Sequence, residues 1–253
     1  MFKYGIKLWS TNGQKIFQQA INLFIERRID FAELYIHPAM TDRRGFKIFK
    51  DMPITIHATK DEDGFNIFQL TEQGIDLFKK QIIGAADFLN ADLIVIHAGF
   101  GGSQPVFKKN LKLIFDPRMV VENMPKIYFG GRRSFGYSAN QLKRIKNNCH
   151  AGFCLDIGHA IKAAAAEKIA YKDLLLDLFK SLRPAYFHLS GGFYDSAMDQ
   201  HLNLYEGNID WRWIKNELKK ISKNKNIRLV FEIPKIGGNL ENDLKNIEYF
   251  KNL

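Results

Sequence analysis

Residues 75–97 read IDLFKKQIIGAADFLNADLIVIH and contain the repeating unit of the chain. Ile75, Phe78, Ile82, Ala85, Ala86 and Leu89 recur at spacings of three, four and seven, which places them on one face of a helix. The pattern then changes to Leu93-Ile94-Val95-Ile96, a short β-rich apolar run that ends on His97. A helix feeding a buried strand, with an imidazole at the strand's end, is one β/α unit carrying a functional group.

Runs of the same kind occur at residues 4–8, 31–36, 54–56, 93–96, 119–121, 152–155, 185–187 and 228–231. Helical stripes lie between them at Phe17/Ala20/Ile21/Phe24, Leu174/Leu175/Leu178/Leu182 and Trp211/Ile214/Leu218/Ile221. Eight runs in 253 residues, roughly one per 32 residues, predict a (β/α)8 TIM barrel, with a doubly wound sheet as the alternative. No Pro/Gly/Ser-rich linker or shift of composition divides the chain, so residues 1–253 read as a single TIM-barrel domain.

Composition narrows the class. With 46% hydrophobic residues, 21 of them Phe, the chain can bury a large core without staples, which excludes collagen-like, low-complexity and disulfide-scaffold proteins. No apolar run reaches the roughly 18 to 20 residues of a membrane span, and Met1-Phe2-Lys3-Tyr4-Gly5 reads as a first strand, so the expectation is a cytoplasmic protein with no membrane partner. Cys154 sits inside an apolar run and Cys149 is the only other cysteine, which fits a reducing compartment. The 37 Lys and Arg exceed the 27 Asp and Glu by ten, a surplus that either attracts a polyanion or solvates helices. Lys-rich segments at 108–112 and 215–225 fall on helical or connecting stretches and read as solvated outer surface.

The strand ends carry the chemistry. From the third run onward each leads into a metal-type ligand: His57, His97, Glu122, Asp156 with His159 three residues on, His188 and Glu232. In a barrel these ends meet at one mouth. Acids crowded there would repel one another and lose hydration unless cations neutralise them, and imidazole with carboxylate but no thiolate favours zinc, manganese or a related first-row ion. Asp199-Gln200-His201 adds a D-x-H pair whose side chains share one side of an extended backbone. Five histidines and four carboxylates are too many ligands for one ion and enough for two or three. Of the seven histidines, His37 follows the second run and is placed to line the mouth, while His150 reads as surface.

Residues Gly152-Phe153-Cys154-Leu155-Asp156-Ile157-Gly158-His159 resemble the G-F-C-[LIVM]-D-[ST]-C-H signature of the endonuclease IV branch of the xylose isomerase-like TIM-barrel superfamily, departing from it at Ile157 and Gly158. Glu122-Asn123 and Glu232-Ile233-Pro234 are similar to that family's E-N and E-T-P segments, and the resemblance runs from about Ile54 to Pro234. It implies up to three Zn2+ ions: one held by His57, His97 and Glu122; one by Glu122, Asp156, His188 and Glu232; one by His159, Asp199 and His201. It also implies metal-assisted hydrolysis of a phosphodiester in abasic-site DNA or a related phosphate ester, with Glu122 bridging ions and Glu232 orienting the nucleophile.

Where that family carries an aromatic-apolar wedge for DNA, this chain has Ala58-Thr59-Lys60-Asp61-Glu62-Asp63, three acids that would repel a DNA backbone. Residues 199–211 and Asp156-Ile157-Gly158-His159-Ala160 are similar instead to segments of the sugar isomerase/epimerase branch. That branch implies one Mn2+ or other divalent ion and proton transfer by Glu122 and Glu232 on a sugar or sugar phosphate. Under the phosphodiesterase reading Lys60, Arg132 and Arg133 are candidate phosphate contacts. Phe100, Tyr128, Phe129 and Tyr137 are candidate stacking platforms, and the glycines at 99–102 and 130–131 are candidate sources of backbone N–H groups. Oligomeric state is not legible.

Overall fold

All eight runs form strands in the computed structural model, which describes residues 1–40, 42–149, 151–235 and 237–253, with the backbone but not the side chain of Phe129. They are β1 (Phe2–Trp9), β2 (Phe31–Tyr35), β3 (Ile54–His57), β4 (Ile94–His97), β5 (Met119–Glu122), β6 (Gly152–Asp156), β7 (Tyr186–Leu189) and β8 (Ile227–Phe231). Each pairs in parallel with the next, and β8 returns to β1 with Phe2 opposite Ile227 and Ile6 opposite Phe231, closing the barrel. His150 lies outside the described residues.

The helices in chain order are α1 (Gln14–Ile25), α2 (Glu72–Phe78), α3 (Gly84–Phe88), α4 (Gln104–Ile114), α5 (Ala139–Cys149), α6 (Ile157–Glu167), α7 (Tyr171–Leu182), α8 (Trp211–Ser222) and α9 (Glu241–Asn252), of which α1, α2 with α3, α7 and α8 carry the predicted stripes. A short 3-10 segment, Arg44–Phe49, stands in place of a helix between β2 and β3. The stripe at 75–89 is continuous but widens at Lys79–Ile83 into a π turn, where the Arg43 guanidinium donates to the carbonyls of Lys80 and Gly84. The wide turn keeps Phe78, Ile82, Ala85 and Ala86 all in the core. No helix among the described residues is long and apolar enough to cross a membrane.

One apolar layer fills the space between barrel and helices, and a separate cluster of Phe31, Val95, Val120, Cys154, Tyr186 and Val230 plugs the barrel interior. Successive inward positions along a strand are two residues apart. Two residues beyond these six lie Glu33, His97, Glu122, Asp156, His188 and Glu232, so the lumen is apolar at one level and ionisable at the next. Lys7 and His57 sit two residues beyond Gly5 and Thr55 on the remaining strands.

The expectation that residues 215–225 are solvated surface fails at Lys215, which is buried in α8. Its ammonium lies 5.7 Å over the Phe250 ring and donates to the Lys251 carbonyl at 2.7 Å, capping the end of α9.

Candidate metal centre at the barrel mouth

The three ligand sets read from the sequence come together. Within each of His57–His97–Glu122, Glu122–Asp156–His188–Glu232 and His159–Asp199–His201, one ligand atom per residue lies within 4.8 Å of the others. The parallel register accounts for much of this, since His97 pairs with Glu122 and Asp156 with His188 across neighbouring strands. Asn123 ties β5 to β6 by accepting from the Asp156 backbone N–H at 2.7 Å and donating to its carbonyl at 2.9 Å.

Four of the five histidines spend one ring nitrogen on a hydrogen-bonded partner and turn the other inward. His57 Nδ1 is 2.8 Å from the Ala58 carbonyl, with Nε2 3.1 Å from Glu122. His159 Nδ1 is 2.9 Å from the Asn123 carbonyl, with Nε2 3.2 Å from Asp199. His201 Nδ1 is 3.1 Å from the Glu232 carbonyl, with Nε2 2.7 Å from Asp199. His188 reverses the order, with Nε2 2.8 Å from Glu33 and Nδ1 3.2 Å from Glu122. His97 Nδ1 lies 3.5 Å from the buried carboxylate of Asp61 and Nε2 3.5 Å from Glu122. Fixing one nitrogen of an imidazole so that the other is aimed at a common point is how metal-binding histidines are held.

The residues fit divalent ions. Asp156 uses Oδ1 to cap α6 through the His159 N–H at 2.7 Å, while its buried Oδ2 has no hydrogen-bond partner among the described residues, and Asp199 Oδ1 is in the same state. Burial, with the negative charges of Glu122 and Glu232 and against the pull of His159, pushes the Asp156 carboxyl up to about 6. Burial acts the same way on Glu122, but the charges of His188 and His97 outweigh it and hold Glu122 well below the usual carboxylate range. Burial opposes protonation of His201, yet Asp199 beside it raises the imidazole to about 9. Without metal, therefore, imidazolium protons do part of the neutralising that divalent cations would do.

Two charged residues of the site are invisible to a search at strand ends. Lys7 and Glu33 lie inside β1 and β2, both buried, with Lys7 Nζ 3.2 Å from Glu33 and hydrogen-bonded to Glu232. Glu33 also accepts from the Tyr186 hydroxyl at 2.8 Å. The available signal was a charge in the middle of an apolar run, Ile6-Lys7-Leu8 and Ala32-Glu33-Leu34, where an outward, solvated side chain cannot be accommodated in a barrel wrapped by helices.

The third set depends on the loop after β7. Gly191 and Leu202 exchange backbone hydrogen bonds at 2.8 and 3.1 Å, and a Cβ on Gly191 would stand 1.9 Å from the Asn203 carbonyl oxygen. Lys162, buried on α6 one turn after His159, donates to the Phe193 carbonyl at 2.7 Å and to Gln200 Oε1 at 2.8 Å. A Gly191→Ala variant should lose this two-bond bridge, at a cost of about 2 kcal/mol. Its Asp199 and His201 should move off His159, so elemental analysis should find one ion fewer per chain than in the wild type. Unchanged metal content would show that the bridge does not place the third set.

A cavity of about 590 Å³ opens above the ligands, lined by His97, His159, Asp199, His201 and Glu232 and also by Lys7, Lys60, Glu62, Ile127, Tyr128 and Met198. Of the substrate-binding candidates, Lys60, Tyr128, Gly130 and Gly131 line it. Arg132 lies 4.0 Å over the Phe100 ring, while Arg133 turns to the Tyr137 ring and donates to its hydroxyl. Tyr137 is buried, and the Phe129 side chain lies outside the described residues. His37, expected to line the mouth, is not among the residues lining this cavity; it is partly exposed, with its Nε2 3.7 Å from Asp63.

A barrel of this topology with ionisable groups at the strand ends defines the class. A family model described as a xylose isomerase-like TIM barrel matches residues 50–253, and the chain belongs to that family. No curated protein matches it by sequence. Among solved structures, endonuclease IV from Thermus thermophilus is similar with a TM-score of 0.73 and 20% identity, over 99% of this chain and 98% of that one. A D-tagatose 3-epimerase-like protein is similar at 0.71 and 19%, over 99% and 96%. The 3-keto-D-glucoside 4-epimerase YcjR from E. coli is similar at 0.69 and 12%, over the full length of both. At these identities the likeness is one of fold, and it spans both kinds of enzyme.

Proposed function

We propose that the protein is a metal-dependent phosphoesterase that holds up to three Zn2+ ions at the barrel mouth and hydrolyses a phosphate ester there. The observation that carries this reading is the third ligand set. His159, Asp199 and His201 lie within ligand distance of one another in the same mouth as the other two sets, which gives a phosphoryl group cations on more than one side. Divalent ions bound there would supply Lewis-acid stabilisation of the charge that builds on phosphate oxygens.

The chain's own residues do the rest. Glu232 is the candidate base that orients the attacking water, since it lies in the cavity and is fixed by Lys7 on one side and by His188 Nδ1 at 2.9 Å on the other. Glu122, buried between the first two sets, holds them together. Lys60 reaches the cavity from the loop after β3 and can meet a phosphate oxygen.

The alternative is a sugar or sugar-phosphate isomerase or epimerase, with one divalent ion such as Mn2+ at Glu122, Asp156, His188 and Glu232. The similarity of the 199–211 segment to that branch and the two epimerase neighbours favour it. Under that reading His57, His97, His159 and His201 are polar contacts to the substrate and hold no ion.

Metal content separates the two. Protein reconstituted with zinc and freed of excess metal should carry three ions per chain by elemental analysis, and chelation should abolish phosphate-ester hydrolysis. A single ion per chain, with turnover of a ketose and none of a phosphodiester, would establish the epimerase reading instead.

A further inference from the structure

We infer that the mouth selects a small phosphodiester, of about the size of one or two nucleotides, over duplex nucleic acid; this rests on the phosphoesterase reading above. The loop after β3 folds inward across one side of the mouth and brings three carboxylates with it. Asp61 is buried against His97, Glu62 lines the cavity together with Tyr128, and Asp63 accepts from the Tyr35 hydroxyl. Glu62 from the loop after β3 and Tyr128 from the loop after β5 both line the cavity, so loops from two strands wall it. Lys60, the cation that the loop brings to the cavity, is itself 3.6 Å from Glu62.

A specific duplex interface buries roughly 1,000 to 2,500 Å² of protein surface and is strongly positive, because affinity comes from neutralising backbone phosphates. Glu62 at the cavity, with Asp61 and Asp63 beside it in the same loop, works against that. The cavity of about 590 Å³ instead falls within the range of small-molecule sites, about 300 to 1,000 Å³.

Its walls differ in character. Ligands from all three sets lie in it, whereas Ile127, Tyr128 and Met198 present apolar surface in the same space, with Ile127 45% and Met198 73% exposed. A phosphate at the ionic end with a planar or apolar group against Tyr128 uses both ends. Hydrolysis adds one water across a P–O bond: the P–O bond to the leaving alcohol breaks, a new P–O bond forms from water, and the water's protons pass to the base and the leaving oxygen.

The test compares kcat/KM of the zinc-loaded protein for bis(p-nitrophenyl) phosphate and a dinucleoside monophosphate with that for a short duplex carrying one synthetic abasic site. A preference of at least about tenfold for the small diesters is expected, and Tyr128→Ala should raise KM for the aromatic diester about tenfold with its zinc content unchanged. A higher kcat/KM for the duplex would overturn the inference. Binding to zinc-loaded Glu232→Gln is measured in parallel by calorimetry with thymidine monophosphate, using the same duplex as competitor. Nucleotide binding that the duplex does not displace, with no hydrolysis of any ester, would sink the phosphoesterase reading and leave the size selection standing. Displacement by the duplex, or no nucleotide binding, would overturn the selection itself.

Discussion

Glu232→Gln is expected to lower phosphate-ester turnover by about 10²- to 10⁴-fold, the usual weight of a positioned acid–base group, while zinc content stays at the wild-type level. The amide has the shape of the carboxylate and keeps one oxygen for the ion and for Lys7, but it cannot take a proton from water. Glu232 is suited to the role by its surroundings. Burial works to raise its carboxyl, and the charges of Lys7 and His188 outweigh that and hold it well below the usual range, so it is ionised at neutral pH. Product release and elemental analysis on the same preparations decide the matter. Undiminished turnover would remove Glu232 from the chemistry, and loss of an ion along with turnover would reduce it to a ligand.

Lys7→Met carries the second large effect, on stability. Lys7 is buried and pairs with both Glu33 and Glu232. Burial alone would lower its ammonium, but those two carboxylates, with Glu122 beyond them, reverse the direction and keep it charged. Methionine fills much the same space and leaves two buried carboxylates without their cation, so the metal-free variant should be less stable by about 3 to 5 kcal/mol. With zinc bound, Glu232 has a second source of positive charge, and the deficit should shrink. Urea denaturation with and without zinc measures both numbers. A metal-free variant within about 1 kcal/mol of wild type would mean that Glu33 and Glu232 are neutralised by other groups, His188 first among them.

The order of elements was legible because each β/α unit buries a short strand under a helix, and both periods stand in the sequence. All eight runs became strands, and the boundaries shifted by a residue or two, as at β1, which begins at Phe2 and ends at Trp9. The π turn at Lys79–Ile83 was not legible, since the stripe it interrupts keeps an unbroken helical spacing. Lys215 departs from its expected exposure for a related reason: a lysine on a charged helix face looks solvated until a neighbouring helix end is found above it.

By itself, the sequence determined the barrel and the six candidate ligands His57, His97, Glu122, Asp156, His188 and Glu232, because a side chain at the end of a buried parallel strand has only the mouth to face. Tertiary structure decided what those ligands meet. Closure of β8 onto β1 brings Lys7 and Glu33 against Glu232 and His188, pairs separated by 225 and 155 residues in the chain. Folding of the loops after β3 and β7 decides which acids wall the mouth and which complete the third ligand set. Local periodicity records which way a side chain points along its own strand. Which charge lies opposite depends on the register of strands and loops distant in the chain, and only the closed barrel sets that.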